Sequence, residues 1–463
     1  MGLSEMDTTK MSRKEIDALE KDDVRYIWHP FTQMKEYVEE KPLIIKEGRG
    51  CIVKDTYGRE YIDGVASLWT NVHGHRKPEI DEAIKRQVDM ISHSTLLGLS
   101  NIPVIECARE LVKITPEGLN KVFFSDSGST SVEIALKMAF QFHRQALDGD
   151  PKRTKFMCLT NGYHGDTLGA VSVGGIDLFH EIYRPLLFDT IKAESPYCYR
   201  CPFSLSFPSC GFECLGQMER LMEEHAHETA ALIMEPMVQG AGGIIVHPPG
   251  YLKRVRELCD RFDIIMIADE VAVGFGKTGR MFGCENEDVR PDIMTLGKGI
   301  TGGYLPLAAT VTTERIYNGF LGNYDDFKTF FHGHTFTGNQ LACSAAVASM
   351  KLFEEEDIIN GLQEKIDFFA DRLRPFSSLD HVGDVRQCGF MVGIELVADR
   401  DTKEMFPAGD RIGHQVIMEA RRHGLIIRPL GDVIVLMPPL AISKEEIEKI
   451  CTITYESIRK VTE

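Results

Sequence analysis

Lys298 is the residue whose surroundings in the sequence most clearly suggest chemistry. It follows PDIM, an apolar run that predicts the end of a buried strand, and it stands between Gly297 and Gly299. Beside a partly desolvated cleft the pKa of a lysine falls, and its neutral amine can then form a Schiff base with an aldehyde. The flanking glycines predict open space for a planar ring next to that amine. An ordinary surface lysine is the alternative, but it does not need such neighbours.

A carboxylate and a turn of small residues follow two other predicted strands. Asp269 ends the segment DIIMIADE, where an ionised carboxylate is costly unless it is paired, so we expect it to face a cation. Residues 125–130, SDSGST, lie just before a helical segment, and the N–H groups and dipole of a helix N-terminus favour a bound phosphate. Serine and threonine are also the usual helix caps, so SDSGST alone leaves both interpretations open.

The segment NGYHGD, residues 161–166, provides an aromatic side chain after a further apolar strand. Tyr163 could cover a flat cofactor, although a half-buried tyrosine in an ordinary turn is the alternative. A phosphate at a helix N-terminus, a ring nitrogen kept protonated by a carboxylate, an aromatic cover and an aldehyde on a lysine together describe pyridoxal phosphate (PLP). We therefore expect PLP as the cofactor.

Alternating strands and helices would position these residues. KVFFSD, KFMCLTN, AALIMEP and DIIMIADE are short and apolar, as buried parallel strands are, and helical-period segments such as SVEIALKMAFQFHRQ and YLKRVRELCDRF lie between them. This pattern predicts an α/β fold with a doubly wound sheet, in which ligands bind at the carboxyl ends of the strands. In the last hundred residues, longer helices mixed with strands such as GFMVGIEL predict a smaller α+β domain, joined by the N-terminal strands.

Composition restricts the class of partner. The 463 residues carry 52 Lys and Arg against 69 Asp and Glu, a net charge of −17, which argues against nucleic acid or an anionic membrane as a partner. The charged N-terminus lacks the apolar core of a signal peptide, and no long uncharged apolar run is present, so we expect a cytoplasmic protein. Its twelve cysteines are then expected to be thiols rather than disulfides.

The motifs resemble those of the class III, fold-type I PLP aminotransferases along nearly the whole chain. WHPFTQM, SDSGST, NGYHGD, EPMVQGAGG, ADEVAVGFGKTG, GKG, FFHGHTFTGNQLAC and IRPLGD are all similar to that family. The resemblance implies a homodimer, with a large PLP-binding domain at residues 65–340 built on a mostly parallel seven-stranded sheet. Both chain ends, residues 1–64 and 341–463, would form the small α+β domain.

The resemblance also implies roles for individual residues. Lys298 would carry the cofactor and move protons, Asp269 would pair with the pyridine nitrogen, and Tyr163 would stack on the ring. The phosphate would be held by Gly128 and Ser129, with His334 and Thr335 reaching over from the other subunit. The substrate site would be lined by Phe31, Trp69, Tyr163, Asp166, Lys298, Gly333 and Arg428. Arg428 would bind a substrate carboxylate, which the fork of a guanidinium matches with two hydrogen bonds.

Within the family, the motifs are most similar to the branch that acts in biotin synthesis. That similarity implies transfer of an amino group to 8-amino-7-oxononanoate, giving 7,8-diaminononanoate, with S-adenosylmethionine or lysine as the donor. Phe31 replaces a family tyrosine, Leu68 stands where an aromatic residue is usual, and Lys277 and Val273 replace a common arginine and threonine. The donor pocket is thus where the sequence departs from the pattern, and HPFTQM, LWTNVHGHRK and HSTLLG resemble the lysine-using branch. A different class III aminotransferase, acting on ω-amino acids, is the alternative.

Four cysteines cluster in the loop 196–215. Cys198, Cys201, Cys210 and Cys214 have the spacing C-x2-C-x8-C-x3-C, which four-thiolate zinc or iron–sulfur sites could use, but it is also compatible with a loop of unligated or disulfide-forming thiols. No step of the predicted reaction requires a metal. A metal-binding or scaffold protein built on an inactive aminotransferase fold is a further alternative, although the presence of Lys298 and Asp269 argues against it.

Overall fold

The structure is a computed structural model that describes residues 11–463. The first ten residues, part of the charged segment behind the expectation of no signal peptide, lie outside the described residues. From residue 11 to the end of the chain, no helix is both long and apolar enough to cross a membrane.

The strands form three main sheets and a short hairpin. Their bounds are β1 Ile45–Arg49, β2 Ile52–Asp55, β3 Glu60–Asp63, β4 Leu119–Ser125, β5 Lys155–Leu159, β6 Ile191–Ala193, β7 Thr229–Met234, β8 Val238–Gln239, β9 Ile245–Val246, β10 Ile265–Asp269, β11 Ile293–Leu296, β12 Ala308–Thr313, β13 Val382–Cys388, β14 Met391–Leu396, β15 Leu425–Ile426, β16 Arg428–Leu430 and β17 Val433–Leu436.

The α-helices lie between these strands and around them. Their bounds are α1 Arg13–Tyr26, α2 Met34–Tyr37, α3 Ala66–Trp69, α4 Pro78–Met90, α5 Ile102–Ile114, α6 Gly128–Gln145, α7 Leu168–Ser172, α8 Asp177–His180, α9 Glu213–His225, α10 Tyr251–Arg261, α11 Glu314–Asn318, α12 Gln340–Glu355, α13 Ile358–Leu373, α14 Ile412–Arg422 and α15 Lys444–Thr462.

The largest sheet has seven strands in the order β4-β12-β11-β10-β7-β5-β6. Only β12 runs antiparallel to its neighbours β11 and β4, so the prediction of a mostly parallel seven-stranded sheet is confirmed. Every residue of β7, β10 and β11 is buried, because helices cover both faces of a parallel sheet and leave no polar side to its central strands. The predicted strands KVFFSD, KFMCLTN, AALIMEP and DIIMIADE correspond to β4, β5, β7 and β10.

Both ends of the chain meet in a second sheet. β1, β2 and β3 form an antiparallel meander, and β15 adds to β3 in parallel, with Leu425 opposite Ile62 and Ile426 opposite Asp63. A third, antiparallel sheet has the order β13-β14-β17-β16. These sheets agree with the expected α+β character of the chain ends, while the domain boundaries at residues 64 and 340 stay predictions.

Candidate active site

Lys298 follows the carboxyl end of β11, a central strand of the seven-stranded sheet. It begins a short 3-10 helix, Lys298–Thr301, with a left-handed backbone at φ +42°. A non-glycine residue in that conformation carries a strain that is found most often at functional sites. Burial lowers the pKa of Lys298, while the charges of Asp269 and Glu235 act in the opposite direction. The net shift increases the fraction of neutral amine available for chemistry.

The glycines beside Lys298 are needed for a reason other than the predicted one. A Cβ on Gly299 would lie 2.9 Å from the Cβ of Phe275, so this position faces protein and the prediction of open space is wrong for it. A Cβ on Gly297 would lie 3.3 Å from the Cα of Gly128. Close packing therefore excludes a side chain at Gly299, and Gly297 lets the end of β11 approach the start of α6.

Asp269 is buried at the end of β10 and accepts three hydrogen bonds. The ring Nδ1 of His164 lies 2.7 Å from its Oδ2, and Thr295 Oγ1 and the Val271 N–H donate to its Oδ1 over 3.0 and 3.1 Å. His164 is itself buried. The sequence predicted a cationic partner for this carboxylate but did not single out His164, although NGYHGD contains it. Thr295, inside a fully buried strand, gave no signal in the sequence.

The segments SDSGST and NGYHGD adjoin each other. Ser127 caps α6 by accepting the Thr130 N–H, so the capping interpretation holds for that serine, and Gly128 and Ser129 open the first turn of the helix. Ser129 Oγ accepts the Asp166 N–H over 3.2 Å, and the hydroxyl of Tyr163 donates to Asp166 Oδ2 over 2.8 Å. The N–H groups of the first turn are thus next to a tyrosine and a carboxylate.

Glu235 is a second buried carboxyl group beside the site. It accepts the N–H of Tyr163 over 3.2 Å and that of Gly240 over 2.8 Å, and burial raises its pKa to about 7. Glu235 lies in the family-like motif EPMVQGAGG, but nothing in the sequence marks it as a site residue. A carboxyl group that fixes the backbone of Tyr163 also fixes the position of that ring.

Trp69 belongs to a strained turn. Ala66, Ser67 and Trp69 have left-handed φ values of 49°, 63° and 65°. Asp63 holds the turn by accepting the N–H and hydroxyl of Ser67 over 2.8 and 2.9 Å. The indole ring is buried, and its centroid lies 5.4 Å from Lys298 Nζ, so the structure brings these two predicted site residues together. Its N–H has no hydrogen-bond partner among residues 11–463.

Phe31 and Leu68 are more exposed than Trp69. Phe31 makes an edge-to-face contact with Phe179, at 5.4 Å between ring centres, and leaves more than half of its surface accessible. Leu68 is also exposed. These two positions, where the sequence departs from the family pattern, therefore have room around them.

Arg428 begins β16 and is half-buried. Burial lowers the pKa of Arg428, and the hydroxyl of Tyr163 opposes that shift. Within residues 11–463, no hydrogen bond or ion pair engages this guanidinium. A desolvated cation without a protein partner has the chemistry of an anion-binding group.

The segment with Gly333, His334 and Thr335 lies at the surface of the chain. His334 Nδ1 lies 3.9 Å from Asp126 in SDSGST, and the carbonyl of Thr335 faces the ring of His93 at 2.9 Å. Gly333 is exposed, and a Cβ there would meet nothing within 4 Å. A role for this segment in the site of another subunit stays a prediction.

A second buried lysine lies behind the Trp69 turn. Lys277 Nζ donates to the carbonyls of Asn71 and Pro438, each over 3.2 Å, and only 1% of the residue is exposed. Burial lowers the pKa of Lys277 to about 7. The lysine therefore ties the turn that carries Trp69 to the segment following β17.

Comparison with known proteins places this geometry in a family. The model of the family "Aminotransferase class-III" matches residues 34–458. The chain belongs to the class III aminotransferases. A relative from Geobacter sulfurreducens, named adenosylmethionine-8-amino-7-oxononanoate aminotransferase, is 58% identical over 95% of this chain and 97% of its own. A relative of the same name from Nitratidesulfovibrio vulgaris is also 58% identical, over 95% and 81%.

Solved structures agree with this class III assignment. The crystal structure of adenosylmethionine-8-amino-7-oxononanoate aminotransferase from Methanocaldococcus jannaschii has a TM-score of 0.91, with 51% identity over 96% of this chain and 99% of that one. The omega transaminase from Pseudomonas jessenii, solved in complex with PMP, has a TM-score of 0.91 at 31% identity, over 96% and 98%. The fold is thus that of the fold-type I transaminases, and the protein is a PLP-dependent aminotransferase.

The residues present fit PLP. At the start of α6, a Cβ on Gly128 would lie 2.5 Å from Val271 Cγ1, so glycine fits best at this edge of the turn that is predicted to bind a phosphate. Asp269, fixed by three hydrogen bonds, provides the negative charge that a protonated pyridine nitrogen requires. Lys298 provides an amine with a lowered pKa.

Proposed function

We propose that this aminotransferase transfers an amino group to 8-amino-7-oxononanoate, giving 7,8-diaminononanoate, a step of biotin synthesis. The proposal depends mainly on Arg428. Its half-buried guanidinium forms no ion pair with any group of the described chain. The acceptor has a carboxylate that such a group can bind with two hydrogen bonds. The names of relatives at 51–58% identity support the same acceptor.

When bound, PLP supplies an electron sink that stabilises negative charge on the substrate carbon. Lys298, partly neutral because of its lowered pKa, takes a proton from that carbon and returns it as general acid and base. Asp269, oriented by His164 and Thr295, keeps the ring nitrogen protonated. Tyr163, fixed by Glu235 and Asp166, covers the ring.

Gly128 and Ser129 are proposed to bind the phosphate, and Asp166 to lie close to the amine being transferred. Trp69, in the strained turn next to Lys298, and the exposed Phe31 are proposed to line the donor pocket. The names of the relatives favour S-adenosylmethionine as the donor. Phe31 and Leu68 are the positions that would suit lysine instead.

We also propose a cytoplasmic homodimer in which Gly333, His334 and Thr335 complete the site of the partner subunit. Large apolar side chains near this segment are exposed in the single chain, among them Phe331 at 77% and Phe336 at 56%. Apolar surface of this kind around the proposed site residues is what a subunit interface would cover. Light scattering during size-exclusion chromatography would report the subunit number.

A half-reaction tests the acceptor and the donor together. The holoenzyme is mixed with S-adenosylmethionine or with lysine, loss of the cofactor's absorbance band is followed, and 8-amino-7-oxononanoate is then added to restore it. Restoration after one donor identifies both substrates. No restoration after either donor would instead favour an ω-amino acid aminotransferase. The structural similarity to omega transaminases at 31% identity supports that alternative.

A further inference from the structure

The four clustered cysteines surround one small cavity. Cys198, Cys201, Cys210 and Cys214 all line a space of about 20 Å³ within the loop 196–215. None of the four forms a disulfide. Aromatic rings, including those of Phe203 and Phe207, line the same space. The loop therefore brings four cysteines from 17 residues of chain to the lining of one cavity.

The local backbone presents these cysteines in two pairs. Cys198 and Cys201 flank the two turn residues Tyr199 and Arg200, while Cys210 lies in the turns that lead into α9 and Cys214 is in the first turn of that helix. The N-terminus of a helix stabilises a thiolate over a thiol. A turn pair facing a pair at a helix start is a backbone arrangement that can close around one ion.

A further observation is an unsatisfied donor on the helix that packs against the one containing Cys214. Tyr251 is completely buried at the start of α10, which packs against α9, and its hydroxyl has no hydrogen-bond partner among residues 11–463. A metal-bound thiolate at the start of α9 would be an acceptor for such a hydroxyl.

We propose that Cys198, Cys201, Cys210 and Cys214 bind one Zn²⁺ ion as four thiolates. Each thiol gives its proton to solvent, and four Zn–S bonds of about 2.3 Å form in a tetrahedral arrangement. The side chains of residues 11–463 contain no ready group of three or more metal ligands, so binding includes rotation of the cysteine side chains toward the cavity. A space of about 20 Å³ suits one ion rather than a four-iron cluster.

The proposed ion has a structural role at a contact between distant parts of the chain. Arg200, inside the Cys198–Cys201 turn, binds Glu395 of β14 through Nε at 2.5 Å and donates to the Lys403 carbonyl over 2.9 Å. Lys403 Nζ in turn donates to the carbonyl of Tyr199 over 2.6 Å. Fixing this turn with zinc would fix the docking of the loop on the sheet that contains β14 and Arg428-bearing β16.

Metal analysis of the intact holoenzyme tests the proposal. Protein made in zinc-supplemented medium and dialysed under reducing conditions is expected to contain one zinc per chain by mass spectrometry of the elements. The variant C198S/C201S is expected to lose it, while the matched control Cys388→Ala, which removes a partly exposed cysteine outside the loop, keeps it. Cobalt substitution is expected to give thiolate charge-transfer absorption and the visible bands of a tetrahedral ion.

A measurement on the unaltered protein covers the case in which C198S/C201S does not fold. Zinc is expected to protect four thiols from alkylation, and peptide mapping is expected to assign them to the loop. Absence of zinc from the reduced protein, full zinc in the double variant, disulfides among these cysteines, or iron with sulfide in place of zinc would each overturn the proposal. Transamination does not enter the readout, so the result is independent of the proposed function.

Discussion

Replacing Lys277 by methionine is expected to change how stability depends on pH. Burial moves the pKa of this lysine from 10.5 in the unfolded chain to about 7 in the folded protein. Between these values the unfolded chain binds one more proton than the folded chain, so the free energy of unfolding rises with pH in this window. The slope is about 1.4 kcal/mol per pH unit. Below pH 7 the full cost of about 5 kcal/mol is present, and above pH 10.5 it vanishes.

Lys277→Met removes this titration but leaves the Asn71 and Pro438 carbonyls without their donor. The two carbonyls left unsatisfied cost about 1–3 kcal/mol each. Above about pH 10, where the burial cost of the lysine has gone, we therefore expect the variant to be less stable than the original by about 2–6 kcal/mol. At pH 7 the removed burial cost of about 5 kcal/mol offsets this loss, so the stability difference should shift by about 5 kcal/mol in favour of the variant between the two conditions.

Equilibrium unfolding in urea, at one subunit concentration and at several pH values from 7 to about 10.5, measures this difference. Lys277→Arg is the matched control, because a guanidinium stays charged across the range and contributes no slope. Other titrating groups and the cofactor are common to the proteins, so their effects cancel in the comparison. Parallel stability curves for the original protein and Lys277→Met would refute the argument that the folded state buries a lysine of lowered pKa.

The site residues give three further expectations. Lys298→Ala should lower kcat at least about 10²-fold in steady-state transamination, because the general acid and base is lost. Lys298→Met, which keeps an unbranched side chain of similar length, is the control, and full activity in either variant would contradict the proposed role. Asp269→Asn should lower kcat about 10²-fold, because a charge-assisted hydrogen bond and the pairing with His164 are lost. The absorbance spectrum of the bound cofactor should change as well, and an unchanged spectrum would argue against contact between Asp269 and the ring. Arg428→Met should raise KM for the oxononanoate about 10- to 100-fold, since a hydrogen-bonded ion pair contributes about 1.5–3 kcal/mol. The donor half-reaction should keep its rate. An equal loss in both half-reactions would contradict a role for Arg428 in binding the acceptor alone.

The strands and the α/β layering could be predicted because the pattern of apolar residues in short sequence windows indicates them. The four apolar runs assigned as strands are β4, β5, β7 and β10, and the helical segments SVEIALKMAFQFHRQ and YLKRVRELCDRF correspond to α6 and α10. Lys298 and Asp269 were found for the same reason, since each is a charged residue at the end of such a run. Periodicity and burial are properties of short windows, and short windows were sufficient here.

Long-range contacts explain what the sequence did not show. His164 meets Asp269 across 105 residues, and Glu235 meets Tyr163 across 72, so no window of sequence contains either pair. Gly299 was interpreted as open space because a sequence shows that a side chain is missing but not which neighbour, here Phe275, occupies its place. Thr295 is an apolar-strand residue in every local respect, and only the register of β11 beside β10 brings it to Asp269.

The pairing of β15 with β3 affects how the chain can fold during translation. A nascent chain emerges with β1, β2 and β3 first, but the partner of β3 is translated more than 360 residues later, since Leu425 lies opposite Ile62. The β3 edge of the meander therefore stays unpaired until β15 has been synthesised, while the strands of the large sheet are already available. Arg428 belongs to the same late segment, so Lys298 and Asp269 are synthesised well before the arginine that is proposed to bind the substrate carboxylate. Truncation near the C-terminus should consequently leave a sheet edge exposed to aggregation.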